Sequence, residues 1–194
     1  MHLSQFSKRT LAGIGGVGLL VISFASAAVT TAVFADTAAV AGNAFTTGSV
    51  DIATQPANSV VNFANMMPGD GVTAPLSVEN NGSAELRYAW TTSASNADSL
   101  NLRDQLVLEI RFQDVGGGCA AFNGAVVSAA EPLANGGFGS AATGSQPGDR
   151  TLASGASEDL CVRVSLPLST GNAFQGASTT ATFTFDAEQT ANNP

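Results

Sequence analysis

Fifteen carboxylates, two cysteines and one histidine supply the acid–base and metal-binding chemistry of this 194-residue chain. The histidine is His2, inside a stretch that reads as a targeting leader, so a processed chain would have none. Without histidine there is no Ser-His-Asp or Cys-His mechanism. There is also no HExxH zinc site of the metalloprotease kind. A site built from carboxylates alone would take Ca²⁺, with Asp70, Asp149 or the Glu158-Asp159 pair as oxygen donors. Against it, Asp70 and Asp149 each end a Pro-Gly-Asp turn that they would cap, Glu158-Asp159 reads as solvated, and no EF-hand-like spacing is present. Spacing does not exclude a carboxylate pair of the glycosidase kind, but no aromatic cluster accompanies the acids to stack a sugar. The expectation is no catalytic residue, no metal and no cofactor.

Cys119 and Cys161 are an even pair without CxxC spacing, which in an exported chain reads as one structural disulfide. Cys161 alternates with Leu160 and Val162 and shares a face with Arg163, while Cys119 follows three glycines. The expected bridge ties a loop to the outside of a strand. Residues 13–18, GIGGVG, match the GxGxxG fingerprint, but they lie in an apolar leader rather than between a strand and a helix, so they carry no nucleotide site. Asn81-Gly82-Ser83 fits a glycosylation sequon and reads better as a tight turn. With no lysine beyond Lys8, Lys–Asn isopeptide cross-links are excluded.

The elements that would position these residues have the two-residue period of strands. Val72, Ala74, Leu76 and Val78 face one way and Thr73, Pro75, Ser77 and Glu79 the other. Residues 80–83 reverse the chain, and Leu86, Tyr88 and Trp90 alternate against Arg87, Ala89 and Thr91. These two strands read as a hairpin, with Pro75 marking an edge or a bulge because it lacks an N–H. Further strands are expected over residues 45–53, 60–63, 105–115, 120–127, 160–168 and 178–187. Residues 128–157, rich in Gly, Ala and Ser, read as a long surface loop with a turn or two. No stretch has a helical period over ten residues. Seven or eight short strands with turns between them imply an all-β, antiparallel β-sandwich over residues 45–188, followed by a polar tail at 189–194 with no sorting motif or apolar segment.

Lys8-Arg9 followed by an uncharged run to Ala35 is the pattern of a signal peptide over residues 1–35, an N-terminal apolar helix with small residues at its end. Cleavage would follow Ala32 or Ala35. A retained membrane anchor is the rival, since the run is long enough to span a bilayer. Processing would leave five arginines against fifteen acids, a net charge of −10. That surface repels phosphate backbones and anionic lipid, which argues against nucleic acid as a partner and for an extracellular location.

The order of VFADTAAVAGNAFTTGSVDIA at the leader junction, PGD with a short alternating strand and ENNGS, and ATFTFDAEQ near the C-terminus resembles the TasA/camelysin family of secreted bacterial fibre proteins. The resemblance narrows the sandwich to a jelly-roll-like one. It implies cleavage by a dedicated signal peptidase after Ala32, ahead of Val33-Phe34-Ala35-Asp36. It also implies a head-to-tail homopolymer in a biofilm matrix. Residues 36–44 would then be a free arm: Asp36, Thr37, Ala38, Ala39, Val40, Ala41, Gly42 and Asn43 are too small to bury much area in their own domain, and their backbone groups need partners elsewhere. An exposed sheet edge of another subunit would satisfy them, making the arm a donor strand. The other readings are a monomeric surface-adhesion module, with other matrix or cell-surface proteins as partners, and a peptidase, after the label that the camelysin branch carries.

Overall fold

The structure, a computed structural model, describes residues 44, 46–58 and 60–193. The expected leader, its cleavage points at Ala32 and Ala35, and the arm from Asp36 to Asn43 lie outside the described residues. The chain divides into two units, Met1–Ala44 and Phe45–Pro194. The second unit holds nine strands: β1 (Ile52–Gln55), β2 (Gly71–Asn80), β3 (Leu86–Ala94), β4 (Val107–Phe112), β5 (Val126–Pro132), β6 (Gly137–Phe138), β7 (Arg150–Leu152), β8 (Ser157–Ser165) and β9 (Ala181–Gln189). Two short 3₁₀ turns, Leu102–Asp104 and Asn172–Phe174, are the helical elements among the described residues.

All pairings are antiparallel. Sheet one has the order β1-β2-β8-β4-β5; in sheet two β3 is central, with β9 along one edge and β6 and β7 in succession along the other. The chain alternates sheets at β2, β3 and β4 and again at β7, β8 and β9, as a jelly-roll-like sandwich requires. The alternation read from the sequence decides what lies between the sheets. Leu76 and Val78 of β2, Leu108 and Ile110 of β4, and Leu160, Val162 and Val164 of β8 meet Leu86, Tyr88 and Trp90 of β3 in one buried cluster. Trp90 is its aromatic centre, 5.0 Å from Phe183, 4.9 Å from Phe185 and 6.0 Å from Phe138, in T-shaped and tilted contacts.

The expected hairpin is not formed. β2 and β3 are in opposite sheets, and residues 81–85 carry the chain across the sandwich. The cause is Asn80. Its side chain is fully buried, its Nδ2 donates toward the carbonyls of Ala84, Leu152 and Ala153 at 2.9–3.1 Å, and its Oδ1 accepts from Gly82 N–H at 2.9 Å. A buried amide needs such partners, and the carbonyls of Leu152 and Ala153 are supplied from the other sheet's side of the crossing. Gly82 has no room for a side chain, since a Cβ there would stand 2.4 Å from Ser49 O.

Other expectations are corrected as well. The first strand is four residues, Ile52–Gln55, and residues 60–63 form no strand, although Val60 and Val61 pack against the core. The Gly/Ala/Ser-rich stretch from 128 to 157 holds most of β5 and all of β6 and β7. Strands of two and three residues borrow their order from β3 and leave no periodic trace in the sequence.

Candidate functional site: the open flank and the two ends of the sandwich

Most of the chemical groups singled out in the sequence have a structural occupation; Asp159 is exposed on β8. Cys119 and Cys161 are disulfide-bonded, with Cα atoms 5.4 Å apart. Cys161 lies on the outer face of β8, where loop 113–124 folds over it. Phe122 anchors that loop beneath two guanidinium groups, Arg163 at 3.8 Å and Arg111 at 5.1 Å from the ring centroid. Asp114 accepts the N–H groups of Asn123 and Ala121, both at 2.7 Å, and these bonds hold its carboxyl below the usual carboxylate range.

Asp70 caps its turn by accepting Met67 N–H at 2.8 Å, and Asp149 accepts Ser140 N–H at 2.9 Å and Gln146 N–H at 2.8 Å. Glu158, expected to be solvated, is instead the hub of a clamp between the sheets. It accepts Tyr88 Oη–H at 2.5 Å and Arg150 Nε–H at 2.6 Å, and Arg150 Nη2 donates to its other oxygen. Arg150 also stacks on Phe112 of β4, 4.8 Å from the ring centroid. Burial, and then the neighbouring Glu158 carboxylate, push the Tyr88 hydroxyl far above the ordinary tyrosine pKa. Arg150 lies eight residues before Glu158 and Tyr88 seventy before it, so sequence offered no signal for this triad.

What remains open is backbone. Ser95 N–H donates to Thr180 O, and Thr190 N–H to Glu85 O. With the β3–β9 register, these bonds fix that Thr182, Thr184, Asp186 and Glu188 turn their backbone groups toward β3. Ala181, Phe183, Phe185 and Ala187 therefore turn theirs outward. Among the described residues, β9 pairs with β3 alone. The facing edge of sheet one is also incomplete, because β1 covers β2 only from Ser77 to Asn80. There Asn80 N–H bonds toward Ala156 O and Asn81 N–H toward Asp51 O, which turns the backbone groups of Gly71, Thr73 and Pro75 to the uncovered side. Pro75 thus sits at an edge, as its missing N–H suggested.

Apolar side chains are exposed at both ends of the sandwich. Ser49 meets Ser83 at the end where β2 finishes, with Ser49 N–H on Ser83 Oγ at 2.9 Å, so the chain enters the domain there. Val50 is exposed at that end, whereas Val115 is exposed in the turn that lies over Cys161. At the other end, where β2 begins, Met67, Leu100 and Leu168 are exposed, Met67 at 67% and Leu168 at 81%. Gly69 N–H bonds to Leu166 O, and a Cβ on Gly69 would be 3.4 Å from Leu168, so these loops adjoin.

A family model described as camelysin metallo-endopeptidase matches residues 8–106, slightly more than half the chain. No curated protein matches. The description implies a metal, and the donors among the described residues do not fit one. They include no histidine, both cysteines are oxidised, and no three His, Cys, Asp or Glu side chains converge. Six carboxylates are committed elsewhere: Asp70, Asp149 and Asp114 to backbone N–H groups, Glu158 to Arg150 and Tyr88, Glu188 to Arg87 at 2.6 Å, and Glu109 to Arg111 at 2.6 Å.

Proposed function

From the premise that this chain belongs to the camelysin family, we propose that it is a secreted structural subunit that polymerises head to tail into an extracellular fibre of a biofilm matrix. The observation that carries this reading is polarity. The chain enters the sandwich at one end, beside Ser83, while the unpaired length of β2 begins at the other, and both ends expose large apolar residues. An arm leaving one end of a subunit meets the opposite end of the next, a heterologous contact that propagates without closing. Stacking the ends removes Val50, Met67, Leu100 and Leu168 from water together. Cleavage by a signal peptidase after Ala32 or Ala35 frees the arm from Asp36 to Asn43, so processing times assembly.

In this reading the chain is a building block rather than a peptidase, in keeping with its donor set. The processed protein, purified at neutral pH, is expected to form filaments in the electron microscope and to contain no stoichiometric metal. A stable monomer that adheres to cells, or proteolysis that co-purifies through several columns and vanishes with a chelator, would replace the reading by an adhesive or an enzymatic one.

A further inference from the structure

We infer that the acceptor of the arm is the outer edge of β9, and that the arm of a second copy pairs there antiparallel to it. The inference rests on the assembly reading above and names the surface that assembly uses.

Two edges face the open flank, and they differ in chemistry. That of β2 offers N–H groups at Gly71 and Thr73 only, because Pro75 has none, and it is six residues long before β1 takes over. A proline at an exposed edge blunts it against further pairing. The edge of β9 has no such guard. Ala181, Phe183, Phe185 and Ala187 present four outward N–H groups and four outward carbonyls in an unbroken ladder, within a sequence, ATFTFDAEQ, that has no proline or lysine. The side chains on that row are the half-buried Phe183 and Phe185, which lean on Trp90, flanked by two alanines. An added strand with small side chains extends sheet two and covers those rings without displacing them. Residues 36–43 are such a strand: eight residues with no side chain larger than valine, aspartate or asparagine. Orientation follows from where the chain enters. β9 starts at the Met67–Leu168 end and runs toward the end where Ser49 enters. An arm rising from the subunit below reaches the start of β9 with residue 43 and its far end with residue 36, opposite to the direction of β9.

The outward and inward residues of β9 alternate, and this gives a test. In the processed full chain before assembly, the amides of Thr182, Thr184, Asp186 and Glu188 are already bonded to β3. In the fibre, the amides of Ala181, Phe183, Phe185 and Ala187 are expected to slow in hydrogen exchange by at least about 100-fold as they gain a partner. Ala187→Pro removes an outward N–H while sparing the β3 ladder, and is expected to raise the monomer concentration needed for fibres by about tenfold or more. Thr73→Pro, on the β2 edge, is expected to leave it unchanged. Fibres in which the four outward amides exchange as fast as in the monomer, or which Thr73→Pro abolishes and Ala187→Pro does not, overturn the β9 assignment and leave the assembly reading standing. A processed chain that forms no fibre overturns both.

Discussion

The two flanks of the sandwich are built on opposite principles. On the closed flank the chain passes from β5 in one sheet to β6 in the other, Leu133 is buried in the passage, and Ser128 Oγ–H bonds to Gly137 O at 2.6 Å. Toward this half Tyr88, Arg150 and Glu158 link β3, β7 and β8, and Arg150 stacks on Phe112 of β4. On the open flank β1 is four residues long, β9 lacks an outer partner among the described residues, and irregular residues bring Val60, Val61 and Met66 against the core in place of a strand. A domain that needed only to be stable would close both flanks. Under the proposed assembly, stability on one side and unpaired backbone on the other would let a subunit fold alone and still be completed by a neighbour. Damage to the closed flank should therefore lower folding stability, and damage to the open flank should change assembly at constant stability.

The largest effect on stability is expected from the Cys119–Cys161 bridge, which closes a separation of 42 residues. Reducing it removes about 3–4 kcal/mol in the chain-entropy account, read as a lower denaturant midpoint. Free thiols titrating in the unreduced, denatured protein would contradict the bridge. Next is Glu158→Ala, which strands the Arg150 charge and the Tyr88 hydroxyl. It should cost about 3 kcal/mol by thermal or urea unfolding, without slowing assembly of the molecules that remain folded. A stable Glu158→Ala protein that fails to form fibres would break the division between the flanks.

Smaller effects come from titration. Because the Tyr88 pKa is raised in the folded state, its contribution is intact below the unfolded value near about 10 and is lost as pH rises above it. Tyr88→Phe should flatten that alkaline decline while costing about 1–2 kcal/mol at neutral pH. The smallest effect is acidic. Asp98, bonded to Ser178 N–H, Asp114, bonded to Asn123 N–H, and Glu188, bonded to Arg87, all have carboxyls below their usual range. Depressed carboxyls stabilise above the unfolded pKa and cease to do so as pH falls through the folded one, so the melting temperature should drop below about pH 4. A melting temperature flat down to pH 2 would remove these bonds from the account.

Much of the core was legible in sequence. The alternations in β2, β3, β4, β8 and β9 mark the inward rows correctly, because one face of each strand is buried and a slip by one residue would turn it out. Partnership was harder to read. A four-residue polar link between two alternating strands reads as a hairpin, and only the burial of Asn80 against the carbonyls of Leu152 and Ala153, more than seventy residues away, makes it a crossing. Glu158 looked solvated beside Asp159 because its partners come from other strands. Of the candidate surface, Pro75 announced an edge, but the free side of β9 did not show, since a strand with one neighbour alternates just as a strand with two does.

Completion of the open flank by the arm of another copy is tested by electron microscopy of the processed protein beside a variant lacking residues 36–43. Filaments are expected from the first, and from the second a secreted, disulfide-bonded monomer with the same unfolding midpoint and no filaments. Filaments from the deletion variant indistinguishable from those of the processed chain would contradict it.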